Sequence, residues 1–173
     1  MNDSTKKANT RKASTKKGST KKNSEKKSAV PQEAVKKYKI LIVDDSKSVL
    51  QSLSRTFAKT PYDVTTIANP VTAYQMIEDE HYDIVISDIM MPEMDGLTLL
   101  KKIKNYNGMI QVLIITGFTT INNTLNAFRY GAADIFFKPF EDPNEIVAAV
   151  DVLAAKLDRI NSILKKLSKE HRN

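Results

Sequence analysis

The 173 residues, 41% of them hydrophobic, suffice for one domain with a buried core and for extensions outside it. The lack of cysteine excludes a disulfide framework, a thiolate metal site and a cysteine nucleophile. The net charge of +7 is uneven, because residues 1–37 carry twelve basic residues against three acids, which leaves −2 for the remainder. With no signal-like or membrane-spanning apolar stretch in the sequence, we expect a soluble cytoplasmic protein.

Residues 1–37 form a lysine-rich segment built on a degenerate five-residue repeat, of which Ser14-Thr15-Lys16-Lys17 is one copy. A period of five matches neither a helical face nor a strand, and the segment offers little apolar surface to bury. We therefore expect a disordered tail. Two roles remain open for it: a solvated extension, or a nonspecific contact with nucleic acid or an anionic surface.

From Tyr38 onward, strand-like apolar runs alternate with helix-like patterns. The runs lie at about 39–44, 63–68, 83–88, 111–116 and 134–138. Helices are predicted to begin at a Ser46 cap, to follow Pro70, and to cover Leu97–Ile103 and Ile121–Tyr130. A β-α alternation repeated five times predicts an α/β, doubly wound (βα)5 fold with a five-stranded parallel sheet, of the flavodoxin-like kind.

A fifth helix is predicted after Asp142-Pro143, and it is longer than the fold requires. Its apolar residues recur at steps of four and three, at Ile146, Val150, Leu153, Leu157, Ile160, Leu164 and Leu167. We place the folded domain at 38–155 and assign 156–173 to an extension of this helix. The apolar stripe of the extension needs a partner, and two interpretations remain open: a short coiled-coil homodimer, and a helix folded back on its own domain.

Four of the predicted strands end on polar residues that suit a phosphoryl group. The first ends at Asp44 and Asp45, the third at Asp88, the fourth at Thr116 and the fifth at Lys138. The carboxyl ends of parallel strands meet at one edge, so these side chains should converge. Three carboxylates repel one another unless a cation joins them, which makes them candidate Mg²⁺ ligands. The ammonium and hydroxyl groups would then contact phosphoryl oxygens.

With the flanking motifs Met91–Gly96, Thr116-Gly117 and Lys138-Pro139-Phe140, the chain resembles a response-regulator receiver domain of two-component signalling. The resemblance covers about residues 38–155. It implies that Asp88 accepts a phosphoryl group from a histidine kinase or a phosphotransfer protein. No activity beyond this self-phosphotransfer and autodephosphorylation is expected, so the chain is not expected to be an enzyme.

The resemblance also assigns the metal ligands. Asp45 and Asp88 would bind Mg²⁺ directly, Asp44 would bind it largely through water, and the main-chain carbonyl of Met90 would complete the protein's share. In the family the peptide bond before the proline is usually cis, which would apply to Lys138-Pro139.

One position departs from the family pattern. Receivers typically carry Tyr or Phe where Ile135 stands, and a stiff β-branched side chain cannot reproduce the swing of a ring. We therefore expect the signal to leave by another route, such as the last helix. Met90 and Phe118 occupy positions where the family tunes dephosphorylation, and because neither can orient an attacking water, we predict a long-lived phosphoryl group.

The leading hypothesis is a stand-alone response regulator that signals through protein–protein contacts, because only about eighteen residues follow the receiver. A second hypothesis is an aspartyl-phosphate hydrolase, although that class usually places a second acid where Met90 stands. A third is a nucleic-acid-associated or scaffold protein that acts through its basic tail.

Overall fold

The computed structural model describes residues 38–117 and 120–170. The lysine-rich segment 1–37 and Phe118 lie outside the described residues, so the expected disorder of the tail and the expected role of Phe118 stay predictions. Within the described ranges, no helix combines the length and the apolar character that crossing a bilayer requires.

Five strands alternate with five helices along the described chain. The strands are β1 (Lys39–Val43), β2 (Asp63–Ile67), β3 (Ile84–Asp88), β4 (Gln111–Thr116) and β5 (Asp134–Phe137). The helices are α1 (Lys47–Phe57), α2 (Pro70–Asp79), α3 (Gly96–Tyr106), α4 (Ile121–Arg129) and α5 (Asn144–Glu170). All neighbouring strands pair in parallel in the order β2-β1-β3-β4-β5. The predicted doubly wound (βα)5 fold is therefore confirmed.

The central strands are buried on both faces, which explains why they read as continuous apolar runs rather than as alternating ones. In β1, Ile40 and Ile42 pack into a core cluster with residues of α1 and α5. Leu41 and Val43 point to the opposite face, into a cluster with residues of α2, α3 and α4. The helices thus cover both faces of the sheet, and the edge strands β2 and β5 are partly exposed.

The helix starts show where sequence signals were sufficient and where they were not. Asn69 precedes Pro70, and its side chain accepts hydrogen bonds from two main-chain N–H groups in the first turn of α2. Ser46 occupies the predicted cap position of α1, but its hydroxyl lies 2.9 Å from Ser48 Oγ. The main-chain N–H of Ser46 instead donates to Asp44 Oδ1 at 2.9 Å, so this turn holds the Asp44 carboxylate in place.

Helix α5 is unbroken from Asn144 to Glu170, as its long heptad pattern predicts. Its buried face continues to Leu157, two residues beyond the domain boundary placed from the sequence. Beyond that point Ile163, Leu164 and Leu167 are 49%, 54% and 48% exposed. The continuous helix and its half-exposed apolar stripe disfavour the interpretation in which the extension folds back on its domain. The coiled-coil homodimer stays a prediction.

Two tyrosines that directly precede β1 and β2 form hydrogen bonds with α5. Tyr38 Oη donates to Asp158 Oδ1 at 2.5 Å, and Tyr62 Oη donates to Asp151 Oδ1 at 2.5 Å. Burial, reinforced by the bond to Asp158, raises the pKa of Tyr38 to about 12. Both hydroxyls are therefore protonated donors at neutral pH, and each adds a polar contact to the apolar face of α5.

Candidate functional site

The strand register brings the predicted site residues to one edge of the sheet. Asp44 follows β1 directly, Asp88 ends β3, and Thr116 ends β4. The parallel ladders pair Asp88 with Ile115, and Thr116 with Phe137, the residue before Lys138. The carboxyl ends of four strands therefore supply polar groups at a single level, which is where an open α/β sheet binds its ligands.

Lys138 bridges two of the carboxylates. Its Nζ lies 2.5 Å from Asp44 Oδ2 and 2.9 Å from Asp88 Oδ2. The side chains of Lys138, Asp44 and Asp88 are 16%, 0% and 9% exposed. Ion pairs so far from water are screened little, and an ammonium hydrogen-bonded to two carboxylates compensates part of their desolvation. The sequence assigned this lysine to a phosphoryl oxygen, and the structure shows it bound to the two acids.

The remaining oxygens of these two carboxylates accept main-chain hydrogen bonds. Asp44 Oδ1 accepts from the N–H of Ser46, and Asp88 Oδ1 accepts from the N–H of Ile89 at 2.7 Å. Burial raises the pKa of Asp44, while the hydrogen bonds from Lys138 and Ser46 act in the opposite direction. Since both oxygens of Asp44 already have protein partners, its expected contact with a metal through water suits this arrangement.

The three acids also fit a divalent cation. One carboxylate oxygen from each of Asp44, Asp45 and Asp88 can be chosen so that all three lie within 4.8 Å of one another. The Asp45 side chain is exposed, so it can reach an ion that arrives from solvent. Three oxygen donors match Mg²⁺, and the single charge of Lys138 cannot balance three carboxylates.

The loop after β3 is closed tightly against the site. A Cβ on Gly96 would lie 1.8 Å from the main-chain oxygen of Asp88, so no larger residue fits there. The Gly96 N–H donates to the oxygen of Ile89 at 2.9 Å. Met90, whose carbonyl is a candidate ligand, belongs to this loop, and its side chain is 54% exposed. The packing at Gly96 therefore fixes the loop that carries Met90.

Sequence reasoning missed one link across this loop. Glu93 has a positive φ of 67°, and its Oε1 accepts a hydrogen bond of 2.9 Å from Asn69 Nδ2. Asn69 is identifiable from its place before a proline, but no sequence pattern points to Glu93 as its partner. The bond ties the loop after β3 to the start of α2.

The other predicted residues lie where the strand endings placed them. Thr116 is 2% exposed, and its main-chain oxygen accepts the N–H of Lys138 at 2.9 Å. The Lys138-Pro139 peptide bond is cis, as the resemblance implies. Ile135 is partly buried in β5, opposite Ile114, and packs against the core cluster on the α2, α3 and α4 face.

Comparison with known proteins gives relatives of one kind. The family described as the response regulator receiver domain matches residues 40–151. The regulatory protein AtoC of Escherichia coli K12 is 37% identical over 103 residues, which is 60% of this chain and 22% of AtoC. The transcriptional regulator NtrC of the same organism is 37% identical over 112 residues, 65% of this chain and 24% of NtrC. The chain thus spans less than a quarter of these two relatives.

Solved structures agree. The signal receiver domain of an HD domain-containing protein from Pseudomonas fluorescens Pf-5 has a TM-score of 0.68 and 26% identity, covering 71% of this chain and 98% of that one. A CheY-like receiver domain from Methanospirillum hungatei JF-1 has a TM-score of 0.66 and 26% identity, covering 73% and 98%. The match over residues 40–151 and the acid cluster at the strand ends lead to one assignment. The chain belongs to the response regulator receiver domain family.

Proposed function

We propose that the chain is a response regulator in which Asp88 accepts a phosphoryl group from the phosphohistidine of a histidine kinase or phosphotransfer protein. The observation that carries the proposal is the contact of Lys138 Nζ with Asp88 Oδ2 and Asp44 Oδ2, beside Asp45. This arrangement combines a carboxylate nucleophile, an ammonium group beside it and the donor set for Mg²⁺. Phosphoryl transfer requires chiefly such positioning and charge neutralisation.

The chemistry begins with an oriented carboxylate. The Ile89 N–H holds Asp88 Oδ1, and Lys138 holds Oδ2. A carboxylate oxygen forms the new O–P bond as the N–P bond of the phosphohistidine breaks, and the partner's imidazole keeps the electron pair and takes up a proton. Lys138 and the Thr116 hydroxyl then contact phosphoryl oxygens. Asp45, Asp88 and the carbonyl of Met90 would hold Mg²⁺ directly and Asp44 would hold it through water, and the ion would supply further neutralisation of phosphoryl charge.

We propose that the output of this regulator passes through protein–protein contacts. Four large apolar side chains of α4 and β5 are exposed: Ile121 by 80%, Leu125 by 47%, Phe128 by 50% and Phe137 by 51%. Ile121, Leu125 and Phe128 are four and three residues apart and so share one face of α4, and an exposed apolar helix face is typical of a partner site. Because β5 leads directly into Lys138, a protein bound to this surface would contact the strand that carries the site lysine.

We further propose that the chain has no enzymatic activity beyond its own phosphorylation and slow dephosphorylation. Met90, two residues after Asp88, has a solvent-exposed thioether that can neither accept a proton from water nor orient it well for attack. The phosphoryl group should therefore persist on the protein once it is formed.

Incubation of the full chain with acetyl phosphate and Mg²⁺, followed by intact-mass measurement, tests the proposal. We expect one phosphoryl group to be added, to persist, and to be absent from the Asp88→Asn variant. The matched control is Asp95→Asn, which changes a nearby Asp whose role as the cap of α3 an asparagine also fulfils. Rapid release of inorganic phosphate would indicate a hydrolase, and modification that survives Asp88→Asn would refute the assignment.

A further inference from the structure

The end of α5 that extends past the domain is amphipathic. We call residues 159–170 the α5 extension. At 100° per residue, its apolar side chains fall in one sector of the helix: Ile160, Ile163, Leu164 and Leu167. Its basic side chains fall in the opposite sector: Arg159, Lys165, Lys166 and Lys169. The segment therefore presents an apolar face and a cationic face to its surroundings.

The apolar face of the extension is accessible. Ile163, Leu164 and Leu167 are each about half exposed, at 49%, 54% and 48%. The same stripe nearer the domain is covered, since Leu153 and Leu157 are 7% and 5% exposed. The transition from buried to exposed occurs along one continuous helix, so this surface is available for a ligand that takes up apolar side chains.

Net charge also differs between the domain, which is acidic, and the extension, which is basic. Residues 38–158 carry ten basic and sixteen acidic side chains, a net −6, whereas the extension carries four basic and one acidic, a net +3. Residues 1–37 add a net +9. An extended anionic surface is therefore repelled by the domain and attracted by the segments at either end of it.

The base of the extension lies beside the first described residue of the domain. The described chain begins at Tyr38, whose hydroxyl donates to Asp158, the residue directly before the extension. The extension therefore begins close to the point at which the described chain begins.

The choice of ligand follows from the two faces together. Phosphates of a nucleic acid would engage the lysines but leave Ile163 and Leu164 in water. In a second copy of this helix, the positions that flank the apolar seam are Asn161, Ile163, Ser168 and Glu170. They offer no complementary charge pairs, and the exposed seam is shorter than the about three heptads of a stable coiled coil. A lipid surface engages both faces.

We propose that the α5 extension binds the surface of an anionic lipid bilayer. Its apolar side chains enter the boundary between headgroups and acyl chains, and its lysines extend along the surface to the lipid phosphates. The basic segment 1–37 adds long-range attraction to the same leaflet. The helix lies along the membrane and does not cross it. This binding does not depend on the phosphoryl chemistry of Asp88.

The natural absence of tryptophan allows a direct test. In the full chain, Ile163→Trp creates a single fluorophore on the apolar face. We expect its emission to shift to the blue with vesicles of phosphatidylcholine and phosphatidylglycerol, and to stay unshifted with phosphatidylcholine alone. The matched control is Gln75→Trp on α2, an exposed position outside the extension, whose emission should not respond. A lipid-independent blue shift that grows with protein concentration would favour a second copy and overturn the proposal.

Vesicle co-sedimentation of further variants separates the contributions of charge and apolar contact. The triple variant Lys165→Gln, Lys166→Gln, Lys169→Gln should bind anionic vesicles at least about tenfold more weakly. A control with the same charge change on the domain, Lys59→Gln, Lys101→Gln, Lys102→Gln, should bind much as the unaltered chain does. The double variant Ile163→Ser, Leu164→Ser keeps the charge and should also bind about tenfold more weakly.

Circular dichroism establishes that each variant is folded, and deletion of residues 1–30 measures the share of the basic segment. Two results would overturn the proposal. One is equal binding to neutral and anionic vesicles. The other is loss of binding on charge removal with no effect of the serine substitutions, because that pattern describes a general polyelectrolyte such as a nucleic-acid binder.

Discussion

The ammonium group of Lys138 allows Asp44 and Asp88 to lie close together at the ends of β1 and β3. Asp44 is fully buried, so its carboxylate has lost its hydration and depends on Lys138 and on the Ser46 N–H for compensation. One ammonium serves two acids here and a third lies beside them. A further cation is therefore favourable, and the lysine can exchange a carboxylate for a phosphoryl oxygen without leaving the site.

Replacement of Lys138 by methionine should destabilise the fold by about 3 kcal/mol at neutral pH without Mg²⁺, because it leaves a buried carboxylate unpaired. The pKa of Asp44, already raised by burial, would rise further, so the deficit should grow as pH rises from acid to neutral. Urea unfolding across pH measures this. Lys39→Met, which breaks the exposed pair with Glu80, is the control and should cost less than about 1 kcal/mol.

Added Mg²⁺ should restore part of the stability of the Lys138→Met variant, since a divalent ion relieves the same repulsion. A variant that is equally unstable at all pH values and insensitive to Mg²⁺ would show that the lysine acts through packing of its methylene chain alone.

Gly96→Ala should distort the site through its backbone. The added Cβ would lie 1.8 Å from the Asp88 oxygen, so the loop must move, and we expect a loss of about 3 kcal/mol or more in unfolding free energy. Mg²⁺ affinity, followed by calorimetry, should fall as well. Gly108→Ala is the control, because a Cβ there meets only the Lys104 oxygen at 3.8 Å. Similar effects at the two glycines would contradict this account.

Ile135 affects the conformational change by which phosphorylation of the site is transmitted to the rest of the domain. Its branched side chain packs against the core cluster and has few accessible rotamers, so we expect little local rearrangement when the site is loaded. Amide exchange with and without beryllofluoride should show protection near Asp88 and small changes in β5. Strong added protection of the amides of α4 and of β5 as far as Ile135 in the beryllofluoride complex would show that an aliphatic residue carries the usual switch.

At the scale of elements, α5 is held by polar contacts as well as by its apolar face. Tyr38 and Tyr62 donate to Asp158 and Asp151, which lie almost two turns apart on the helix. These bonds set the rotation of α5 about its axis, because each joins a different side chain of the helix to a residue directly before β1 or β2. Helix position is therefore specified more tightly than by burial of leucines alone.

Tyr38→Phe should cost about 1.5–3 kcal/mol at neutral pH, the usual contribution of a hydrogen bond to a charged acceptor. The pKa of Tyr38 is raised from 10.0 to about 12. This raised value stabilises the fold below about pH 10, and the gain is lost as pH rises towards 12. Unfolding curves of the phenylalanine variant should therefore depend less on pH in this range. Tyr106→Phe, whose exposed hydroxyl lies 3.3 Å from the Glu78 oxygen, is the control and should change little.

The strands and the site were predictable for the same reason. Buried parallel strands require apolar runs, and the residue that ends each run must face the ligand edge, so Asp44, Asp88 and Thr116 were identifiable from local sequence. The bond from Tyr38 to Asp158 was not, because it joins residues 120 positions apart and neither belongs to a periodic pattern. The bonds of Lys138 to its two carboxylate partners were not predictable from local sequence either, because they depend on where β5 pairs in the sheet.

At the scale of the whole molecule, the domain should account for stability and phosphorylation, and the extension of α5 should contribute to neither. A chain ending at Ile160 retains Leu157 and Asp158, so its melting temperature and its modification by acetyl phosphate should match those of the full chain. A chain ending at Lys156 loses the burial of Leu157, worth about 2–3 kcal/mol, and the acceptor for Tyr38. Equal stability of the two would contradict the burial described for Leu157.

Sedimentation of the full chain beside the chain ending at Ile160 also tests the coiled-coil prediction. A dimer that is lost on truncation would support that prediction. If the full chain and the shortened chain are both monomeric, the extension does not bind a second copy and is available to a different ligand.

The unbroken course of α5 from the domain into the extension has a mechanical consequence. From Leu157 to Glu170 a helix rises about 20 Å, so the extension is a lever arm with its fulcrum at the Tyr38 contact. A tilt of about 10° about this contact would displace the tip by about 3–4 Å, whereas the contact itself would hardly move. Small adjustments of α5 against the sheet are therefore magnified at the far end of the extension.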